Sequence, residues 1–220
     1  MSKRILMVLT NHSELPNGKK TGVWLSEFGE AFLAFQKEGY DVTVASPQGG
    51  EIPIDPTSLE GDVSEEMLAT KEHLQHTEHI NDQNAEDFDG IFLPGGHGTM
   101  FDLPDNTKLQ ELIRSIYEAD KPVAAVCHGP AGLVGVKLSN GDPLVKGKKV
   151  SAFTDAEEQD TGLQDDMPFL LASKLEELGA HHEAAANWSE KVVRDGLLIT
   201  GQNPQSTEAV AHAFIDTLKE

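Results

Sequence analysis

The sequence predicts an α/β fold, a doubly wound and mostly parallel sheet with helices on both faces. Three observations carry that expectation. Short apolar runs alternate along the chain with segments of helical period. The runs are continuously apolar, as expected of strands covered on both faces, with no alternation of apolar and polar residues. The 220 residues also suit one domain, 1–220, large enough to bury a substantial core.

Taken in order, residues 5–9 form the first β-branched apolar run, followed by a polar loop through Asn11, His12, Ser13 and Glu14. From Ser26, a good N-cap type, Phe28, Ala31, Phe32 and Phe35 recur at helical spacing until Gly39 supplies a stop. Residues 42–45 read as a second strand. Residues 46–87 interrupt the alternation with Pro47, Pro53, Pro56 and a polar helical stretch, an expected insertion over the sheet edge or site that could serve as a lid. Residues 91–93 enter Pro94-Gly95-Gly96, a helix is expected near 108–118, and residues 122–126 form another strand. Turn signals at Asn140-Gly141-Asp142 and Lys146-Gly147-Lys148 suggest a short hairpin leading into 150–153. A helix over 168–178, strands around 184–188 and 197–200, and a closing helix from Ser206 complete the reading.

Seventeen basic against thirty-seven acidic residues give a formal charge of -20, which would repel a nucleic-acid backbone or an anionic membrane surface. The first apolar run is too short for a secretory core, and nothing approaches the roughly 18 apolar residues of a membrane span. A soluble, cytoplasmic protein is expected. Its single cysteine excludes an intrachain disulfide and is compatible with a reducing compartment.

That cysteine carries the chemistry. In a parallel sheet ligands gather at the carboxyl ends of the strands, where Cys127 and the Gly95-Gly96 turn both fall. Ala125 and Gly129 flank Cys127 at two before and two after, the spacing of a nucleophile elbow, in which small neighbours let a tight strand-to-helix turn expose the nucleophile. A helix amino terminus facing the sulfur would favour a reactive thiolate. The glycines of Pro94-Gly95-Gly96-His97-Gly98 allow close backbone approach to a ligand, and their N–H groups with that of His128 suit an oxyanion hole. The segment lacks the spacing of a nucleotide-binding loop. His73, His76 and His79, with Glu72 and Glu78, are spaced by three, but successive steps of about 100° spread them around a helix, so a solvated polar helix is expected. His97 is the better candidate metal ligand, although no second ligand is evident. No metal is therefore assigned.

Four segments together resemble a known family: 21–27 (TGVWLSE), 93–100 (LPGGHGTM), 124–130 (AAVCHGP) and 199–206 (ITGQNPQS). They look like the PfpI superfamily, with its flavodoxin-like, class I glutamine amidotransferase-like domain. Within it they are most similar to the branch of heat-shock chaperones with glutathione-independent glyoxalase III activity. The resemblance implies an adjacent catalytic pair, Cys127 and His128, with Glu27 of the first helix against the sulfur. It also implies an acidic third member within 153–158, for which Glu158 is favoured and Asp155 held in reserve. Trp24, Gly95, Gly96, His97 and His128 are expected to bind substrate.

The implied reaction converts methylglyoxal or glyoxal to lactate or glycolate without a cofactor. Cys127 adds to the aldehyde, and Glu27 shuttles the proton between carbon and oxygen through an enediol-like species. A carboxylate touching a thiolate should share one proton with it. A homodimer is a family-based expectation. So are a holdase chaperone or protein deglycase role, with unfolded or glycated proteins as partners. An amidotransferase fits less well, because its histidine and glutamate stand together as His-x-Glu near the carboxyl end, whereas His182-Glu183 lacks that spacing. A cysteine peptidase is the remaining enzymatic alternative.

Overall fold

The computed structural model describes residues 2–220. In chain order its strands and helices are β1 (Arg4–Val8), α1 (Leu25–Lys37), β2 (Asp41–Ser46), α2 (Glu65–Ala69), β3 (Glu78–His79), β4 (Gly90–Leu93), α3 (Thr99–Asp102), α4 (Thr107–Glu118) and β5 (Val123–Val126). They continue with β6 (Lys149–Val150), α5 (Asp155–Thr161), α6 (Leu171–Glu177), β7 (His181–His182), β8 (Val192–Asp195), β9 (Leu198–Gly201) and α7 (Thr207–Lys219). Seven strands form one sheet in the order β3-β2-β1-β4-β5-β9-β8. All neighbours are parallel except β8, which returns antiparallel along β9. A separate parallel pair, β6 and β7, lies beyond it.

The apolar strands read as expected because successive residues enter different cores. Leu6, Val8, Ile91, Leu93, Val123 and Ala125 pack with Leu109, Leu112, Ile113 and Ile116 of α4. Ile5, Met7, Phe92, Ala124 and Val126 face the other way, toward α1 and α7. There Phe35 and Phe214 meet Phe92, with ring centroids 5.5 Å and 5.9 Å from it. Each such buried side chain contributes about 1.5–3 kcal/mol of transfer free energy.

Several local expectations need correction. Helix α1 starts at Leu25, and its N-cap is Trp24, two residues before the expected Ser26, with a side chain that makes no capping bond. Tertiary contacts override the local signal. Trp24 N–H donates to the Gly95 carbonyl at 3.2 Å, and Leu25 N–H donates to Ser58 Oγ at 3.2 Å. The cap thus comes from the 46–87 segment. That segment packs Ile52 and Leu74 into the core, bridges Val23 through Ile54 and adds β3 at the sheet edge. The residues lining the cavity at Cys127 come from elsewhere in the chain.

The expected strand at 184–188 is irregular, and β3, β7 and β8 are strands that were not expected. The expected hairpin reduces to one antiparallel bridge, Lys137 to Pro143, and β6 instead pairs parallel with β7. His73, His76 and His79 do not share a helix. His73 lies within a 3-10 turn and packs at a tilt against Phe32, His76 lies in a bend, and His79 in β3 accepts from Asn81 N–H.

Candidate active site

Cys127 follows β5 directly and has φ of +60°, in the left-handed region that favours glycine. Two backbone bonds hold it there. Its N–H donates to the Gly201 carbonyl at 3.0 Å, and its carbonyl accepts from Phe153 N–H at 2.9 Å. The small flanking residue at 129 is required by close packing, since a Cβ on Gly129 would lie 2.1 Å from the Leu93 carbonyl oxygen. Gly96 combines φ of +110° with a backbone approach that would put a Cβ 2.0 Å from the Gly22 oxygen. The elbow therefore locks the ends of β4, β5 and β9 to the loop entering α1.

Glu27, in the first turn of α1, is wholly buried. Its Oε2 accepts from Gly95 N–H at 2.6 Å, while Oε1 has no hydrogen-bond partner. Burial pushes its carboxyl up to about 8, opposed in part by the neighbouring Cys127 thiol and the Gly95 N–H. Cys127 is 3% exposed, and burial and the adjacent Glu27 push its thiol well above the ordinary range. This corrects the expected thiolate. The helix after the elbow is a five-residue 3-10 turn, Gly129–Leu133, and only the His128 N–H favours the charged sulfur. The two acids form one coupled unit, and once one proton has left, the remaining proton is shared between them.

On the other side of the sulfur, His128 Nδ1 lies 3.6 Å from Cys127 Sγ, and its Nε2 meets Glu158 Oε2 at 2.6 Å. Glu158 Oε1 meets His97 Nε2, also at 2.6 Å. Glu158 is nearly buried, which alone would raise its carboxyl, but His128 and His97 together hold it well below the ordinary carboxylate range. An ionised carboxylate only accepts, so both histidines carry their proton on Nε2. Burial and the neighbouring His97 lower His128, which keeps it neutral with a free Nδ1 lone pair toward the thiol.

Glu158 thus occupies the position expected of the third member. Asp155 does not: it is half-buried and accepts from Ser173. Glu157 is a structural hub that the sequence reading missed. Its carboxylate accepts from Thr154, Trp188, Gln202 and Asn203. The signal was present, because Thr154 and Glu157 form a capping box that marks Glu157 as structural and leaves Glu158 free.

A cavity of about 60 Å³ opens onto Cys127, Glu27, Gly96, His97 and His128. Trp24, Phe153, Thr161, Trp188 and Pro204 complete its wall; of these, only Trp24 had been singled out. Gly95 departs from its expected role, since its N–H is committed to Glu27. The N–H groups of Gly96 and His128 donate to no oxygen among the described residues; that of Gly96 is available to an oxyanion, and that of His128 becomes so when it is released from the Cys127 sulfur. His97, His128 and Glu158 also form the one grouping with metal-ligand spacing among the described residues, with ligand atoms within 4.8 Å of one another. The Nε2 of each histidine is already paired with a Glu158 oxygen, so a cation bound through these atoms would have to displace two N–H protons. His182-Glu183 lies apart, with His182 bonded to the Ala152 backbone.

The sequence pattern of the DJ-1/PfpI family matches residues 19–217. Glyoxalase 3 of Candida albicans is 33% identical, covering 96% of this chain and 97% of that protein. The glutathione-independent glyoxalase HSP31 of Saccharomyces cerevisiae is 34% identical over 99% of this chain and 98% of its own length. Among solved structures, glyoxalase III from Candida albicans superposes with a TM-score of 0.86 at 32% identity, over 98% of this chain and 97% of that one. The Rapid Encystment Protein 24 kDa of Francisella tularensis reaches 0.92 at 35% identity, covering 98% and 99%. No helix of the described residues is long and apolar enough to cross a membrane.

Proposed function

This chain belongs to the DJ-1/PfpI family, and from that premise we propose that it is a cysteine-dependent, glutathione-independent glyoxalase that isomerises and hydrates methylglyoxal to lactate and glyoxal to glycolate. The observation that carries the reading is the free Oε1 of buried Glu27 beside the Cys127 thiol, in a cavity sized for a few heavy atoms. An acid with one bare lone-pair oxygen and a pKa near 8 suits accepting and returning a proton at a carbon. The names of the two fungal relatives support the same chemistry.

His128 Nδ1 accepts the thiol proton as sulfur adds to the aldehyde carbon, C1. The oxyanion so formed meets the N–H groups of Gly96 and His128, then takes the proton back from His128 to give a neutral hemithioacetal. Glu27 removes the hydrogen on C1 and delivers it to C2. The resulting thioester is hydrolysed by water, releasing the hydroxy acid and restoring the thiol.

The alternative holdase reading has less support. Among the described residues only Leu68 and Trp188 are exposed large hydrophobics, too few for an extended apolar patch. The deciding experiment incubates purified, metal-free protein with methylglyoxal in the absence of glutathione and measures lactate. Lactate should form with the native protein and fall to background with Cys127→Ala. Suppression of aggregation without lactate formation would reject the glyoxalase reading in favour of the holdase.

A further inference from the structure

Isomerisation of the hemithioacetal moves two protons, since C1 loses both its hydrogen and its hydroxyl proton while C2 gains a hydrogen and its oxygen a proton. Glu27 can hold only one of them, because Oε2 is tied to Gly95 N–H and Oε1 alone is free. His128 faces the sulfur through Nδ1 and Glu158 through Nε2. Among the cavity-lining residues this leaves one unassigned imidazole or carboxylate, His97. Its Nε2 is anchored on Glu158 Oε1, and its Nδ1 bonds to no described residue.

We infer that His97 is a second catalytic histidine that carries the hydroxyl proton from O1 to O2 of the enediolate while Glu27 carries the carbon-bound proton from C1 to C2. The inference rests on the glyoxalase reading. The step balances: Nδ1 takes the O1 proton as C1 becomes a carbonyl, and returns it to the oxygen on C2 as that carbon accepts hydrogen from Glu27. No outside donor or oxidant is needed. Glu158 supports the transient charge on His97 as it does for His128, so one carboxylate serves two bases. The imidazole rings are 4.2 Å apart, and simultaneous protonation of both would place like charges in contact. The two histidines must therefore act in turn, His128 during sulfur addition and His97 during isomerisation. A shared carboxylate makes that alternation possible without moving a residue.

The test compares native protein, His97→Gln and His97→Ala on methylglyoxal, together with the rate of Cys127 alkylation by iodoacetamide across pH. If His97 moves the hydroxyl proton, kcat for lactate falls roughly 10²-fold in both variants, as for loss of a general acid–base group. KM should stay within about threefold, and the alkylation profile within about twofold, because sulfur activation belongs to His128. Added imidazole should recover about tenfold of the lost rate in His97→Ala, which leaves space for it. Near-normal turnover in folded His97→Gln would overturn the inference. So would a loss of turnover matched by a shifted alkylation profile and unrescued by imidazole, which would make His97 a positioning residue for Glu158. Absence of lactate from the native protein is a separate result, rejecting the glyoxalase reading itself.

Discussion

Glu27 lies beside the Cys127 sulfur and Glu158 reaches it through His128, both buried, yet their surroundings push them in opposite directions. Glu158 gains a hydrogen bond on each oxygen from a histidine and stays ionised well below the ordinary range. Glu27 gains one bond from a backbone amide, keeps one oxygen bare and is raised to about 8. Burial is common to both, so the partners decide the roles. A saturated carboxylate can only orient its neighbours, whereas an unsaturated one can exchange a proton near neutral pH.

The sharpest way to break this contrast is to remove the proton-exchanging group without its shape. Glu27→Gln should cut methylglyoxal turnover by roughly 10²- to 10⁴-fold. The same substitution should accelerate alkylation of Cys127 at pH 7, because the carboxylate that raises the thiol is gone. Opposite signs for turnover and alkylation are the signature of a shuttle. Slower alkylation together with lost turnover would mean that Glu27 activates the sulfur instead.

Glu158→Gln attacks the saturated side and should cost less, about 10²-fold in turnover. The amide has one oxygen for two N–H donors, so one histidine must change tautomer, and if it is His128 the thiol loses its acceptor. Asp155→Asn should change turnover by less than about twofold, since that carboxylate is occupied by Ser173. Equal effects from the two substitutions would undo the assignment of Glu158.

How much of this was visible in the sequence depends on what each residue's role depends on. The parallel sheet was legible because continuous apolar runs state that both faces are covered. The elbow was legible because Ala125 and Gly129 are small where a turn leaves no room. The protonation state of Cys127 was not, because it is set by enclosure and by Glu27, a hundred residues earlier in the chain. The bridge from His97 to Glu158 was likewise hidden, since it depends on α5 folding back over the ends of β4 and β5. The start of α1 was misplaced because its cap is supplied by Ser58, outside the local window. Strand β8 was missed because it forms an edge, with only Val193 buried and charged residues at Arg194 and Asp195.

A smaller effect, on pH dependence, sharpens the same comparison. Glu27 must be a carboxylate to take the carbon-bound proton, so kcat/KM should rise about tenfold per pH unit below an apparent value near 8 and level off above it. Glu158 should add no limb in the measurable range, because it remains ionised throughout. A profile flat from pH 6 to 8.5 would place the working base elsewhere.

The smallest effect is on stability, where Glu27 costs the folded state what its chemistry gains. Its folded pKa, about 8, lies above the unfolded carboxylate value of 4.5. The folded state therefore holds a proton that the unfolded chain releases, and the stability from that proton is fully present below pH 4.5. It declines from there and is lost as pH rises through about 8. A glutamine at this position does not titrate, and its amide oxygen can still accept from Gly95. The Tm of Glu27→Gln relative to native should thus increase from pH 5 to pH 8 by several degrees, at roughly 2–4 °C per kcal/mol for a chain of this size. The difference between the two proteins cancels the other titrating groups. For Glu158→Gln the sign reverses: the native carboxylate, held low, contributes stability above the unfolded value, so the variant should be progressively less stable than native as pH rises from 3 toward 5. Parallel pH trends for the two variants would mean that burial alone governs both groups, and the distinction between an orienting and an exchanging carboxylate would fail.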